Sequence, residues 1–254
     1  MNTFSIGGTV RFAWGLFTKR PWIFIGASAV LFVVNWILGA SIDSLEKGGL
    51  AIVGVLINIV AGTFIGMGAT AFYLKAHDAI DTVAIRDLWH PEKFWKYLGA
   101  SILYGLSMLV VIAPFILAFV LIFGAALFSP ATTVAELKIR FAEVGGVALS
   151  VLGLGFLVAA YASAALMFST YSVIDRALRP VAAWKESLRI TKGSRLRILG
   201  FMLIALVMNM LGAIAFLVGL LVTIPLTMIG FMHIYRTLSG SHTSIPSEAP
   251  ALQA

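Results

Sequence analysis

The chain contains no cysteine. That excludes disulfides, thiolate nucleophiles and cysteine-ligated metal centres. Charge is also scarce. Asp, Glu, Lys and Arg make up 11% of the 254 residues, against roughly 25% in a soluble globular protein. So few charges cannot cover a water-facing surface, and a soluble fold is excluded. Acids are the scarcer sign, 11 against 18 Lys and Arg. None falls in the middle of an apolar run, which argues against a transporter driven by protons or sodium, since these need an ionisable group inside the membrane. The sequence also lacks a glycine-rich phosphate loop, a nucleophile elbow and an HExxH pair. Its carboxylates and histidines are dispersed, so no enzymatic activity, cofactor or metal is expected.

What is abundant is apolar. Hydrophobic residues make up 60% of the chain and the mean hydropathy is +1.00. Six apolar runs predict an all-α polytopic membrane protein. The spans are 22–40, 50–74, 97–128, 144–174, 198–212 and 216–235, within one membrane domain over residues 1–236. The first is about long enough for a hydrocarbon core of ~30 Å. It follows Lys19 and Arg20 without a small-residue cleavage site, so it reads as a retained span and not a signal peptide. Pro114 inside the third run predicts a kink, because proline removes one backbone bond. Residues 133–141 read as a short surface helix, and the Ser/Pro/Ala-rich tail 237–254 as disordered and cytoplasmic.

Three basic junctions precede the odd-numbered spans. The strongest, RPVAAWKESLRITKGSRLRILG (179–200), predicts an interfacial helix that runs into span five. Pro180 suits the first helical turn. Val181, Trp184 and Leu188 make an apolar stripe at helical spacing. Lys185, Glu186, Arg189 and Lys192 occupy the other faces, and Gly193 is a natural stop. At the N-terminus Ser5 is a cap for a helix with Ile6, Val10, Trp14 and Phe17 on its apolar side. The middle junction, DTVAIRDLWHPEKFWK (81–96), carries the interfacial aromatics Trp89, Phe94 and Trp95, with Pro91 able to restart a helix. Short helices with a tryptophan edge and a cationic face belong at the headgroup level.

Six spans put both termini and all three junctions on one side. Fifteen of the eighteen cations then share that side, leaving Lys47, Lys138 and Arg140 opposite. The positive-inside rule makes the junction side cytoplasmic. Trp184, Lys185, Arg189, Lys192, Arg195 and Arg197 form a cytoplasmic basic collar for anionic lipid or an acidic protein partner. Its plainer reading is an elbow that only fixes helix orientation. These cations sit at helix ends and not in a base-reading motif, so nucleic acid is not an expected partner.

Thr9–Ser28 and Thr82–Ser101 align without a gap at an offset of 73, matching Thr9/Thr82, Val10/Val83, Trp22/Trp95, Gly26/Gly99, Ala27/Ala100 and Ser28/Ser101. A second offset, 174, carries Gly26 onto Gly200 and Asn35 onto Asn209. Three parallel repeats are expected, each an amphipathic interfacial helix plus a helical hairpin.

Asn35, Asn58 and Asn209 lie within spans, where an amide either fixes helix packing or lines a solute path. Gly62 and Gly66 form a GxxxG in span two, which serves helix packing inside one chain or, alternatively, a homo-oligomer. His77, Asp78, Asp175 and His233 lie near cytoplasmic span ends; such a set could bind metal or relay protons, but it reads as ordinary boundary residues unless they converge on one pocket.

The run DLWHPEKFWKYLGASIL, then WKESLRITKGSRLRILG, then a glycine-rich last hairpin ending in YRTLSG resembles a large family of uncharacterised bacterial six-helix membrane proteins. It is similar to the membrane domain fused to some glycerophosphoryl diester phosphodiesterases. The resemblance implies a six-span protein of the bacterial inner membrane. It implies no reaction, because the phosphodiesterase chemistry belongs to a soluble domain that this sequence does not contain. The expected function is that of a non-enzymatic scaffold or envelope-associated factor. A small-solute transporter or channel is the alternative.

Overall fold

The computed structural model describes residues 4–128, 134–215 and 218–240. Among them the chain forms nine α-helices and three short 3-10 turns, and no strand. Six segments are long and apolar enough to cross a membrane. They are α2 (Pro21–Lys47), α3 (Ala51–Asp78), α4 (Phe94–Phe128), α5 (Val134–Leu166) with its continuation α6 (Ser169–Arg176), α8 (Arg195–Ile214) and α9 (Leu220–Ser239). Two short helices, α1 (Ile6–Lys19) and α7 (Pro180–Thr191), precede the first and fifth.

Local chemistry explains several boundaries. The Ser5 hydroxyl accepts the Gly8 N–H at 3.0 Å and caps α1. Pro180 opens α7. Gly193 (φ +84) and Gly49 (φ +79) take the left-handed conformation that ends a helix at low steric cost.

Four boundaries differ from the sequence reading. Helix α2 runs past residue 40 to Lys47, because Ser41 and Ser44 donate back to the Ile37 and Ala40 carbonyls (2.8 and 2.9 Å) and stay inside the helix. The middle junction is not an α-helix but three 3-10 turns: Ile80–Thr82, Ile85–Leu88 and Pro91–Lys93. There the Asp87 carboxylate turns back to accept the Ala84 N–H at 2.8 Å. Pro91 also biases His90 away from helical geometry. Described from residue 134, the expected surface helix is the start of α5. The fourth run breaks at Met167–Phe168, so α6 is separate. The fourth helix, by contrast, stays continuous through Pro114, which is exposed. Of the tail 237–254 expected to be disordered, residues 237–239 instead continue α9, and residues from 241 onward lie outside the described residues.

The core sits at one end of the bundle. Phe24, Phe72, Tyr73, Phe168, Ile198, Ile229, Ile234 and Tyr235 are fully buried and close to the junctions. The far halves of the spans are lined mainly by exposed apolar side chains, such as Trp36, Ile52, Leu121, Phe156 and Leu211. Bilayer, not water, is the solvent such surfaces need. Each junction packs on a hairpin. Helix α1 lies against α9 and α8, the Ile85–Leu88 turn against α3 and α2, and α7 against α4 and α5.

Candidate functional site

Lys and Arg side chains at this end of the bundle donate to carbonyls at helix ends and in the middle junction. Arg20 donates to the carbonyls of Ile80, Asp81 and Val83 at 2.9–3.1 Å. Lys93 donates to Ile174 (2.5 Å) and Lys96 to Ala177 (3.2 Å). Arg176 reaches the Ser239 carbonyl at 2.8 Å. Positive charge near helix C-termini satisfies orphan carbonyls and complements the helix dipole. These bonds gather all three junctions at one end of the bundle.

Arg236 lies at the centre of that end, its side chain only 10% exposed. Its Nη1 donates to Asp175 Oδ1 at 2.6 Å, while Nε and Nη2 both reach the Asp78 carboxylate. Asp175 also accepts the Tyr235 hydroxyl at 2.8 Å. His77 Nδ1 lies 3.1 Å from Asp78 Oδ1, and His77 Nε2 lies 3.5 Å from His233 Nδ1. Residues that read as scattered boundary groups therefore converge on one network. The sequence reading counted Arg236 only as a topogenic cation; a lone cation at the end of the last apolar run was the available signal.

This network is poorly arranged for chemistry. Both carboxylates are held by the guanidinium, and Phe12 stacks over His233 at 4.0 Å between centroids. A neighbouring cavity of about 260 Å³ is lined by Asp175 and Arg236 but by neither His77 nor His233. Among the described residues no group of three His, Asp or Glu side chains is placed to hold a metal.

The expected collar divides in two. Lys185, Lys192 and Arg197 are exposed and have no acidic partner among the described residues. Arg189 is instead clamped to Glu186 through two bonds of 2.7 and 2.6 Å, and Arg176 adds a third at 2.9 Å. Arg189, then Arg176, hold the Glu186 carboxyl below the usual carboxylate range against its partial burial. Arg195 lies over the Tyr161 ring, 5.4 Å from its centroid, with Nη1 3.3 Å from the hydroxyl. Trp184 is half-buried and donates its indole N–H to Ser107 Oγ at 3.0 Å, which pins α7 to α4.

The expected apolar stripe of α7 is also displaced. Val181 is exposed, and the buried face is Ala183, Ser187, Ile190 and Thr191. The cause lies in the break between α5 and α6. There the Ala165 carbonyl accepts the Ser187 and Thr191 hydroxyls at 2.8 and 3.2 Å.

The three intramembrane amides do not share a path. Asn35 is exposed and bonded back to the Leu31 carbonyl at 2.7 Å. Asn58 is exposed. Asn209 reaches Thr227 Oγ1 at 3.5 Å between α8 and α9. Of the GxxxG pair, Gly66 abuts the Tyr97 hydroxyl, 3.0 Å from where a Cβ would stand, while Gly62 is exposed. The tighter approach is at Gly68, where a Cβ would meet the Leu88 carbonyl oxygen at 1.9 Å. No protein-family model, curated protein or solved structure matches this chain.

Proposed function

We propose that the protein is a non-enzymatic scaffold of the bacterial inner membrane. Its termini and junctions face the cytoplasm, and its collar docks negatively charged partners, either the anionic leaflet or an acidic protein. The observation that carries this reading is the trio Lys185, Lys192 and Arg197, exposed on α7–α8 and unneutralised by any acid among the described residues. The separation of Asn35, Asn58 and Asn209 weighs against the transport alternative.

The scaffold is built from three repeats closed into a ring. Positions 22, 95 and 196, equivalent at offsets of 73 and 174, are 81, 79 and 77% exposed. Positions 24, 97 and 198 are buried, as are 27, 100 and 201. Glycine stands at 26, 99 and 200, and each glycine faces a junction of another unit. A Cβ there would lie 3.2 Å from Ile85, 2.8 Å from Pro180 and 3.0 Å from Ile6, respectively. Of the equivalent pair Arg20 and Lys93, Arg20 donates to carbonyls just beyond its own hairpin and Lys93 to one at the end of its own.

The test uses the natural absence of cysteine. A cysteine at position 192 reacts with a membrane-impermeant maleimide in inverted vesicles only, and one at position 138 in spheroplasts only. The triple variant Lys185→Glu, Lys192→Glu, Arg197→Glu, held in neutral-lipid nanodiscs, then captures anionic vesicles less well. Each cation is worth about 1 kcal/mol at an anionic surface, so affinity falls on the order of 100-fold. Unchanged capture, with loss of binding to acidic proteins, assigns the collar to a protein partner. Unchanged behaviour in both removes the docking role.

A further inference from the structure

A second site lies at the middle junction, away from the collar. The cavity of about 260 Å³ beside Arg236 is lined by Lys75, Asp87, His90, Lys93 and Asp175. Lys75 is neutralised by Asp87, 2.8 Å away, and Arg236 by Asp78 and Asp175. Lys93 is not neutralised. It is half-buried, its printed bond goes to a neutral carbonyl, and no carboxylate among the described residues lies within 4.0 Å of its ammonium. An ammonium has three donors, so Lys93 has two to offer after Ile174. His90 lines the same cavity, and its Nε2 is enclosed without a hydrogen-bond partner. A cation without an acid beside an unpartnered imidazole, in a recess at the cationic end of the bundle, is suited to a phosphate.

The recess does not stand alone. Trp89 lines it and also lines a groove of about 700 Å³ between α2 and α3. That groove is walled by Val34, Leu38, Ile57, Ala61 and Ile65, with no charged side chain in its lining. It extends from the junction, at Ile85 and Leu88, to Leu38 and Leu56. From Ile65 to Leu56 a helix rises roughly 14 Å, so the groove runs deep along the spans. Phe64 stacks on Trp89 at 5.8 Å and on Phe94 at 4.6 Å, forming the lip between polar and apolar parts. Any groove between spans is filled by hydrocarbon in a bilayer. This one ends on an unneutralised cation.

We infer that the groove between α2 and α3 and the recess beyond Trp89 together hold one phospholipid molecule. Its acyl chain lies against Val34, Ala61 and Ile65, and its phosphate accepts hydrogen bonds from Lys93 and His90. This goes beyond the docking reading: it concerns another junction, a single bound lipid and not a membrane surface, and none of the collar residues.

The experiment is native mass spectrometry of the full chain, purified in mild detergent and titrated with phosphatidylglycerol. One lipid is expected to stay bound at collision energies that strip the others. His90→Ala at the mouth and Ala61→Trp in the groove each lower its retention at least tenfold, while the chain still elutes as a single species. The collar variant leaves retention unchanged, so failure here and failure of the docking reading are distinguishable. Glycerol phosphate, the headgroup without chains, does not displace the lipid at millimolar concentration. Equal retention in wild type and both variants overturns the inference. So does displacement by glycerol phosphate together with insensitivity to Ala61→Trp, because the site then holds a free phosphate.

Discussion

Replacing Arg236 by Met would strip Asp78 and Asp175 of the guanidinium they share, leaving His77 beside the first and Arg176 beside the second. Breaking a buried ion pair by removing one partner typically costs about 3–5 kcal/mol, whereas removing the whole set is close to neutral. Arg236→Met should therefore lower thermal stability in detergent by that order. The triple variant with Asp78→Asn and Asp175→Asn should recover most of the loss, and failure to recover it would show that Arg236 acts through packing alone. Glu186 gives a pH-dependent counterpart. Its folded pKa lies below the ordinary 4.5 because Arg189 and Arg176 stabilise the charged form. The stabilisation is complete above about pH 4.5 and is lost as pH falls through the lower folded value. Protection of α7 amides against hydrogen exchange, corrected for intrinsic rates, should fall in that window and should stay flat in Glu186→Gln. At this scale the sequence was only partly informative. The scarcity of acids was plain, yet which cation each acid would hold depends on helix ends 158 and 61 residues apart, Asp78 and Asp175 with Arg236.

The elements were legible where their cause is local. A long apolar run announces a span, Ser5 and Pro180 announce helix starts, and Gly193 announces an end. The reading failed where a partner elsewhere decides. The break at Met167–Phe168 and the hydroxyl-lined face of α7 explain each other, and neither is visible alone. The same holds for Gly68. The GxxxG spacing drew attention to Gly62 and Gly66, but the closest approach comes from the Leu88 carbonyl in a 3-10 turn. Gly68→Ala forces that backbone away and should destabilise by about 1–3 kcal/mol, as overpacking does. Gly62→Ala, on an exposed face, should stay within about 0.5 kcal/mol. Denaturant or thermal unfolding of the two variants side by side checks the contrast; equal effects would mean that the turn is not seated on α3.

At the scale of the whole molecule, the order of contacts is cyclic: each junction lies against a hairpin that does not follow it, and α1 closes the circle on α8 and α9. The spacing of Gly26, Gly99 and Gly200 is readable in the sequence, but nothing in a linear alignment says which junction each glycine meets. Cysteines at Ile6 and Gly200, joined by a short bismaleimide, should give a cross-linked product at monomer mass. A product at twice that mass would show that the ring closes between chains.

Because the tightly packed side chains cluster at the junctions, the six spans behave like a sheaf bound at its base. Their tips can fray into surrounding lipid without opening the binding knot, so loosening begins at the far leaflet. The last part to dissolve is the basal clasp of Arg236, Tyr235 and Phe24.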